Sequence, residues 1–196
     1  LLHPTPIINV KPAPKGVKRR APSIQVAGIA SNIRQSFNKE GRIMGSFLLD
    51  DGTSTISVTC FGDDWMLYRN IVKSDELVFV RGNAREDTFS SSGVSISARS
   101  IEVPATIRAK NGTVLQIELI DPNFDFDLLK TFLEEHRPDV DDSGCRVSVK
   151  VIDRGQQASF ILSKDWEVYL DQTLLDDLGE VEGVRYSLID RNQNKN

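Results

Sequence analysis

Apolar and polar residues alternate through short stretches in the first half of the chain, and this alternation predicts β-strands. In one stretch Ile56, Val58 and Cys60 are separated by hydroxyl-bearing residues, so one face is apolar and the other polar. A second apolar stretch, residues 44–49, precedes it, and the gap between the two contains Asp-Asp-Gly. Acidic residues with glycine are typical of a tight turn. The two stretches therefore predict an antiparallel hairpin with one buried face.

Further strands follow the same pattern on both sides of this hairpin. They cover residues 24–30, 76–82 and 94–98, and a short helix at residues 65–72 lies between the hairpin and the last two. Three strands, a helix and two more strands is the order of a five-stranded Greek-key barrel, the OB-fold, which binds oligonucleotides or oligosaccharides across one face. Residues 24–103 are therefore predicted to form such a barrel and to carry the binding site. Trp65, at the start of the helix, is predicted to lie in the core.

The second half predicts a small α+β sandwich domain at residues 113–190. Its segments have the order strand, helix, hairpin, helix, strand, at residues 115–119, 128–136, 146–152 with 157–162, 174–178 and 184–189. Residues 1–23 contain five of the eight prolines and predict an extended linker, not a packed element. Residues 104–112 predict a second linker, and residues 191–196 a polar tail. The predicted fold class is mainly β plus α+β.

The net charge of −4 conceals an uneven distribution of charge. Residues 1–42 contain eight Lys/Arg and a single acidic residue, whereas residues 113–190 contain seven Lys/Arg and eighteen Asp/Glu. Cations beside the barrel suit contact with phosphates, and a strongly acidic second domain argues against contact with nucleic acid there. The basic run Lys18-Arg19-Arg20 fits either phosphate contact or a solvated spacer.

Binding of a single nucleic-acid strand requires cations interleaved with aromatic residues, because phosphates attract cations and bases stack on flat rings. Residues 32–42 are interpreted as a long loop between the first two strands, where OB-folds hold oligonucleotides. The candidates around this loop and the predicted loop at residues 85–93 are Arg34, Phe37, Lys39, Arg42, Phe47, Arg81, Arg85 and Phe89. Phe47 belongs to the set only if strand alternation turns it outward. The alternative for Phe37 and Phe47 is the barrel core.

No arrangement of residues in the sequence predicts catalysis or a bound cofactor. Phosphate-binding loops, dinucleotide fingerprints and zinc-ligand spacings are missing from it. Cys60 and Cys145 match no metal or redox spacing and are expected to be free buried thiols of a cytoplasmic protein. Asp50 and Asp51 are interpreted as turn residues and not as a metal site. No apolar stretch approaches the ~18–20 residues of a membrane span, so we expect no membrane partner.

Several segments together resemble a known family. They are Val26-Ala27-Gly28-Ile29, Asn38 to Met44, Leu49-Asp50-Asp51, Ile56-Ser57-Val58 and Phe61 in the barrel, and Leu119-Ile120-Asp121, Leu128 to Pro138, Trp166-Glu167-Val168 and Leu174-Leu175 beyond it. Over about residues 24–190 the chain is similar to the C-terminal region of the bacterial DNA polymerase III α subunit. The barrel alone is also similar to the anticodon-binding barrels of class II aminoacyl-tRNA synthetases, and the second domain distinguishes the two families.

The resemblance implies a role in DNA replication as a non-catalytic part of a replicative polymerase, whose catalytic carboxylates would lie outside this chain. Leu1 in place of Met also leads us to expect a piece of a longer protein. The barrel would bind single-stranded DNA template, and the second domain would dock the τ subunit of the clamp loader. The predicted contact residues for τ are Trp166, Val168, Leu174 and Leu178. Any contact with the sliding clamp would come from upstream segments, since Gln156 to Phe160 has only the outline of a clamp-binding peptide.

Two other classes of function remain open from the residues. The first is a stand-alone module that binds single-stranded nucleic acid and recruits proteins through its acidic domain. The second is an enzyme that uses Cys145 or His136.

Overall fold

A computed structural model describes residues 3–12, 23–88, 90, 92–121, 124–139 and 142–190 of the 196-residue chain. The chain divides into two compact units, Leu1–Val103 and Pro104–Asn196. Three of the sequence predictions concern residues outside the described ranges, namely the basic run at residues 18–20, Phe89 and the tail at residues 191–196.

The first unit contains a closed barrel of five strands. Its elements are β1 (Ile24–Phe37), β2 (Ile43–Asp50), β3 (Thr55–Phe61), α1 (Gly62–Tyr68), β4 (Leu77–Glu86) and β5 (Val94–Glu102). The strands follow the order β1-β2-β3-β5-β4 around the barrel, and β4 closes the ring by pairing with β1. β3 and β5 run parallel, and the other neighbouring pairs are antiparallel. The predicted OB-fold barrel is confirmed.

Alternation along the strands fills the barrel with apolar side chains. In β3 the side chains of Ile56, Val58 and Cys60 are buried, while the residues between them are only partly buried. Full burial of one such aliphatic side chain contributes about 1.5–3 kcal/mol, so this inward row stabilises the barrel. The Trp65 ring, 2% exposed, lies against Gly45 of β2, where any other residue would place its Cβ. The prediction that Trp65 belongs to the core is confirmed.

β1 is much longer than the sequence predicts. The predicted loop at residues 32–42 is mostly strand, because β1 continues to Phe37 in register with β2. The register shifts at a β-bulge that includes Asn32, whose backbone is left-handed at φ 51°. The long-loop interpretation is therefore wrong, and the β1–β2 turn is confined to residues 38–42.

The described part of the N-terminal segment packs on the barrel. Ile7–Asn9 is a 3₁₀ helix, and the Ile7 side chain is only 4% exposed. The backbone N–H of Ile7 donates to Oδ2 of Asp51 at 2.7 Å, and that of Thr5 donates to the carbonyl of Gln25 at 2.7 Å. The prediction of an unpacked linker is wrong here, because a buried apolar side chain and two long-range hydrogen bonds hold the proline-rich chain in place.

The second unit is an α+β layer structure, as predicted. Its elements are α2 (Pro104–Lys110), β6 (Thr113–Leu119), α3 (Phe126–Glu135), β7 (Arg146–Asp153), β8 (Gln156–Ile161), a 3₁₀ helix (Lys164–Trp166), α4 (Gln172–Glu180) and β9 (Val184–Asp190). The sheet has the order β8-β7-β6-β9, in which β6 and β7 are parallel and the other pairs antiparallel. Leucines of α3 and α4 pack with the apolar residues of β6 and β7 to form its core.

The helices of both units are short. α2 occupies most of the predicted linker at residues 104–112, so that linker prediction is wrong. α3, with 10 residues, begins at the side chain of Asp125, which accepts a hydrogen bond from the backbone N–H of Asp127. Within the described residues, no helix is long and apolar enough to cross a membrane.

Candidate nucleic-acid interface

The strand register defines a continuous outer face on β2 and β3. In a sheet, residues directly opposite each other on neighbouring strands point to the same side. Gly45 and Cys60 form an inward pair, and so do Phe47 and Val58. The pairs that alternate with these two therefore point outward. The outward pairs are Met44–Phe61, Ser46–Thr59 and Leu48–Ser57, and these six residues are called the β2–β3 face below.

The β2–β3 face is small and polar at its centre and continues onto the neighbouring strands. Ser97 of β5 lies opposite Thr59, and Arg34 of β1 lies opposite Ser46. Small hydroxyl-bearing side chains let an extended strand approach closely and can donate hydrogen bonds to phosphate oxygens. At one end Phe61 is 43% exposed, so its ring offers a surface on which a base can stack.

Cations lie beside the centre of the face and at its Phe61 end. Arg34 is exposed on β1 beside the central residue Ser46. Lys39 and Arg42 are exposed in the β1–β2 turn, near the Met44–Phe61 pair that ends the face. Arg42 pairs with Glu40 at 3.5 Å, but the two side chains are 75% and 70% exposed, so water screens the pair. The guanidinium of Arg42 therefore remains available to a phosphate.

A further cation lies near the opposite end of the face. Arg85 of β4 is exposed and lies opposite Ser95 of β5, which lies opposite Ser57 at the start of β3. Only Glu86, the last residue of β4, separates it from the β4–β5 turn. A strand that crosses from the β1–β2 turn to the β4–β5 turn would therefore meet cations at both ends and small polar residues between them. Phe89 of the predicted set lies outside the described residues.

Phe47 is a core residue, so the prediction that it stacks on bases is wrong. Its side chain is 2% exposed and lies opposite Val58 inside the barrel. Strand alternation puts it on the side of Leu49, because the two are separated by one residue. The same alternation identifies Phe61, which the sequence prediction missed although it follows the inward Cys60.

Phe37 and Arg81 do not lie on the β2–β3 face. Phe37 is 69% exposed, but alternation places it on the side of Gln35 and not on the side of Arg34. Arg81 is exposed on β4 opposite Gln25 of β1. Between β4 and β3 lies β5 on one side of the barrel, and β1 and β2 lie between them on the other. Some of the predicted DNA-contact residues therefore lie together near the β1–β2 turn, whereas Phe37 and Arg81 lie away from the β2–β3 face. For both outliers, contact with DNA stays a prediction.

A separate groove on the first unit is acidic and unsuited to phosphates. It has a volume of about 570 Å³, and its lining includes Asp50, Asp51 and Asp75 beside the apolar Ile29 and Leu77. Carboxylates repel a phosphate backbone. The β2–β3 face is therefore the better candidate for nucleic acid.

Asp51 has a structural role in the β2–β3 turn. Burial by itself raises the pKa of its carboxyl, but hydrogen bonds from Thr53 Oγ1 and from the backbone N–H groups of Ile7, Thr53 and Ser54 lower that pKa to about 2. The carboxylate therefore joins the turn to the N-terminal segment. This agrees with its interpretation as a turn residue.

The second unit does not present the predicted τ-contact residues as a surface. Val168, Leu174 and Leu178 are at most 1% exposed and belong to the core of the unit, so a partner cannot touch them in the folded protein. Their prediction as contact residues is wrong, because the apolar spacing of Leu174 and Leu178 serves to bury one face of α4, and Val168 packs in the same core. Trp166 is partly exposed at the edge of this core, and the Arg137 guanidinium lies 5.3 Å from its ring centroid.

A match to a protein family agrees with the fold of the barrel. Residues 24–104 match the tRNA_anti-codon family, described as an OB-fold nucleic acid binding domain. The second OB-fold domain of replication protein A from Methanococcus maripaludis superposes with a TM-score of 0.38 at 20% identity, covering 52% of this chain and 95% of that one.

Curated relatives are named DNA polymerase III subunit alpha. The protein of Vibrio cholerae is 27% identical over 168 residues, which are 84% of this chain and 14% of that protein. The protein of Escherichia coli is 31% identical over 121 residues, which are 60% of this chain and 10% of that protein. The chain thus spans about a seventh of the length of the first of these relatives. The resemblance seen in the sequence is confirmed at this level.

Proposed function

We propose that this chain, an OB-fold nucleic acid binding domain followed by an α+β unit and similar to DNA polymerase III subunit alpha, binds single-stranded DNA on its β2–β3 face. In a longer polymerase such a face would hold template close to an active site carried elsewhere in the protein. The chain itself would contribute binding and no chemistry.

The observation that carries the proposal is the arrangement of one outer face. Its hydroxyl-bearing centre lies between cations at the β1–β2 turn and Arg85, and Phe61 is exposed beside the first group. Cations along the path neutralise phosphates without reading sequence, and an exposed ring stacks on any base. Binding should therefore show little sequence preference. Binding should also be weak, because carboxylates on the described surface lie close to these cations and repel the phosphates.

The salt dependence of binding tests the electrostatic part of this proposal. Three to five phosphate contacts give a slope of about −2 to −3.5 in a plot of log affinity against log salt concentration for a single strand. Fluorescence anisotropy of a labelled oligo-dT with the full chain measures it. Arg34→Ala should make the slope shallower by about 0.7.

Lys73→Ala provides the matched control for the loss of one positive charge. Lys73 is exposed, pairs with Glu76 at 3.7 Å and lies outside the β2–β3 face. Its removal should leave the slope unchanged. Equal slopes for wild type, Arg34→Ala and Lys73→Ala, all folded, would contradict phosphate contact at Arg34.

For the second unit the proposed partner is the τ subunit of the clamp loader. The support is charge: residues 113–190 contain eighteen Asp/Glu against seven Lys/Arg, which favours a basic partner and disfavours DNA. Trp166, partly exposed at the edge of the core, remains a candidate contact. Cytoplasmic location would follow from this role.

Charge reversal on α4 tests the assignment of τ. Asp176 and Glu180 are exposed, so Asp176→Lys with Glu180→Lys should weaken binding of purified τ to the full chain and reduce its dependence on salt. Asp63→Lys with Asp64→Lys, on exposed positions of the barrel unit, changes the net charge equally and should not weaken binding. If both double variants bind τ as tightly as wild type, the acidic unit is not its docking site.

A further inference from the structure

β8 forms an open edge of the sheet in the second unit. It is the outermost strand in the order β8-β7-β6-β9, and β7 is its one strand neighbour among the described residues. All six of its residues are exposed. The outer edge of a sheet presents backbone donors and acceptors to which another extended chain can pair.

The direction of these backbone groups follows from the β7–β8 hydrogen bonds. The N–H of Leu162 donates to the carbonyl of Val147 at 2.9 Å, in line with the antiparallel register of the two strands. In such a ladder alternate residues bond to the neighbour, and the residues between them point away from it. The N–H and C=O groups of Gln157, Ser159 and Ile161 therefore point outward, away from β7.

Nothing in the composition of β8 protects this edge. Proteins usually block edge strands with Lys, Pro or a bulge, and β8 reads Gln-Gln-Ala-Ser-Phe-Ile without charge or proline. Phe160 is 46% exposed on the helix-bearing side of the sheet, opposite Val149, and Ile161 is 53% exposed on the other side. The strand at the other end of the sheet, β9, contains Arg185. β8 thus combines outward-pointing backbone groups with apolar side chains on both faces.

We propose that β8 is a docking edge that takes up an extended segment of a basic partner protein as a fifth strand of this sheet. The segment would carry apolar residues at alternate positions to meet Phe160 or Ile161, with Lys or Arg at its flanks. Charge selects this occupant, since residues 113–190 contain eighteen acidic and seven basic residues. A second copy of the chain would bring an equally acidic domain to the edge and be repelled. This proposal rests on the proposed function in one respect: it describes how the protein partner proposed there would bind to the second unit.

A synthetic peptide tests the docking edge on the full chain. The probe is fluorescein-labelled Lys-Lys-Val-Thr-Val-Thr-Val-Lys-Lys, and the control peptide has proline at both Thr positions, which cannot donate to a ladder. Ser159→Pro removes an outward-pointing N–H without touching the bonds to β7, whereas Ser159→Ala keeps it. Wild type and Ser159→Ala should bind the probe, with Ser159→Pro weaker by at least about tenfold. The proline peptide should not bind.

Each alternative outcome has a defined meaning once circular dichroism shows that the variants are folded. The docking edge is overturned if Ser159→Pro and wild type bind the probe peptide equally, or if wild type does not bind the probe at all. Sedimentation that shows a wild-type dimer, lost in Ser159→Pro, would assign the edge to a second copy and also overturn it. If the probe binds wild type and Ser159→Pro equally and τ binds wild type, the docking edge fails and the proposed partner stands. If the probe behaves as expected and τ does not bind, the partner fails and the docking edge stands.

Discussion

The indole Nε1 of Trp65 donates a hydrogen bond to Oε1 of Gln35 at 3.1 Å. This bond ties α1 to the second half of β1, the part of the strand that carries Arg34. The Trp65 ring also lies against Gly45 of β2, which lies opposite Gln35. The core of the barrel thereby fixes the position of the strand that borders the proposed DNA-binding face.

The contact between Trp65 and Gly45 predicts that even one added methyl group is costly. In Gly45→Ala the new Cβ would coincide with the indole ring, so the ring or the strand must shift. Overpacking of this kind costs about 1–3 kcal/mol of unfolding free energy. Urea denaturation followed by tryptophan fluorescence measures the loss. Gly179→Ala is the control, since nothing lies within 4 Å of its Cβ position and its φ is outside the left-handed range. A loss in Gly45→Ala no larger than in Gly179→Ala would contradict the close packing.

Asp51 predicts a pH-dependent contribution to stability. Its pKa of about 2 in the folded protein is below the ordinary value of 3.8, so the charged carboxylate stabilises the fold above about pH 4. That contribution is lost as the pH falls toward 2.

Asp51→Asn, which keeps the shape but not the charge, should lower the unfolding free energy by about 1 kcal/mol at pH 7. The difference from wild type should shrink between pH 4 and pH 2 in denaturation series. A difference independent of pH would contradict the charge-assisted bonds to Ile7 and the turn.

Both cysteines are predicted to be unreactive in the folded protein. Burial raises the pKa of the Cys60 thiol to about 11, with a further rise from Asp64, and burial likewise raises the pKa of the Cys145 thiol to about 11. Almost no thiolate is therefore present at pH 8, and the side chains are at most 1% exposed. Iodoacetamide at pH 8 should label both only after unfolding. Rapid labelling of Cys145 in the native state would favour an enzyme that uses this thiol.

The barrel was predictable because alternation and turn chemistry acted together. Ile56, Val58 and Cys60 specify an inward face by themselves, and the Asp-Asp-Gly turn sets the hairpin. The direction of Phe47 is harder to predict, because an error of one residue in the alternation reverses every side chain of a strand. Counting outward from Cys60 would have found Phe61.

The remaining errors concern interactions between distant segments. The residues around Asn32 do not predict that it lies in a β-bulge beyond which β1 continues. Nor do the residues around Ile7 predict that it packs near Asp51. The spacing of Leu174 and Leu178 is typical of a helix face that packs in the core and also of one that binds a partner. Their burial against the sheet shows that this face belongs to the core. Sequence pattern therefore predicted the elements well, and the surfaces less well.

The most direct measurement compares two phenylalanine variants in oligo-dT binding by fluorescence anisotropy, across a salt series. Phe61→Ala removes the exposed ring from the β2–β3 face, and Phe126→Ala removes a ring of similar exposure, 56% against 43%, from the second unit. A lost base stack costs about 1–3 kcal/mol, so Phe61→Ala should weaken binding roughly 5- to 150-fold at every salt concentration. Its salt slope should not change, and Phe126→Ala should bind like wild type. If folded Phe61→Ala binds as tightly as Phe126→Ala and wild type, single-stranded DNA does not bind on the β2–β3 face.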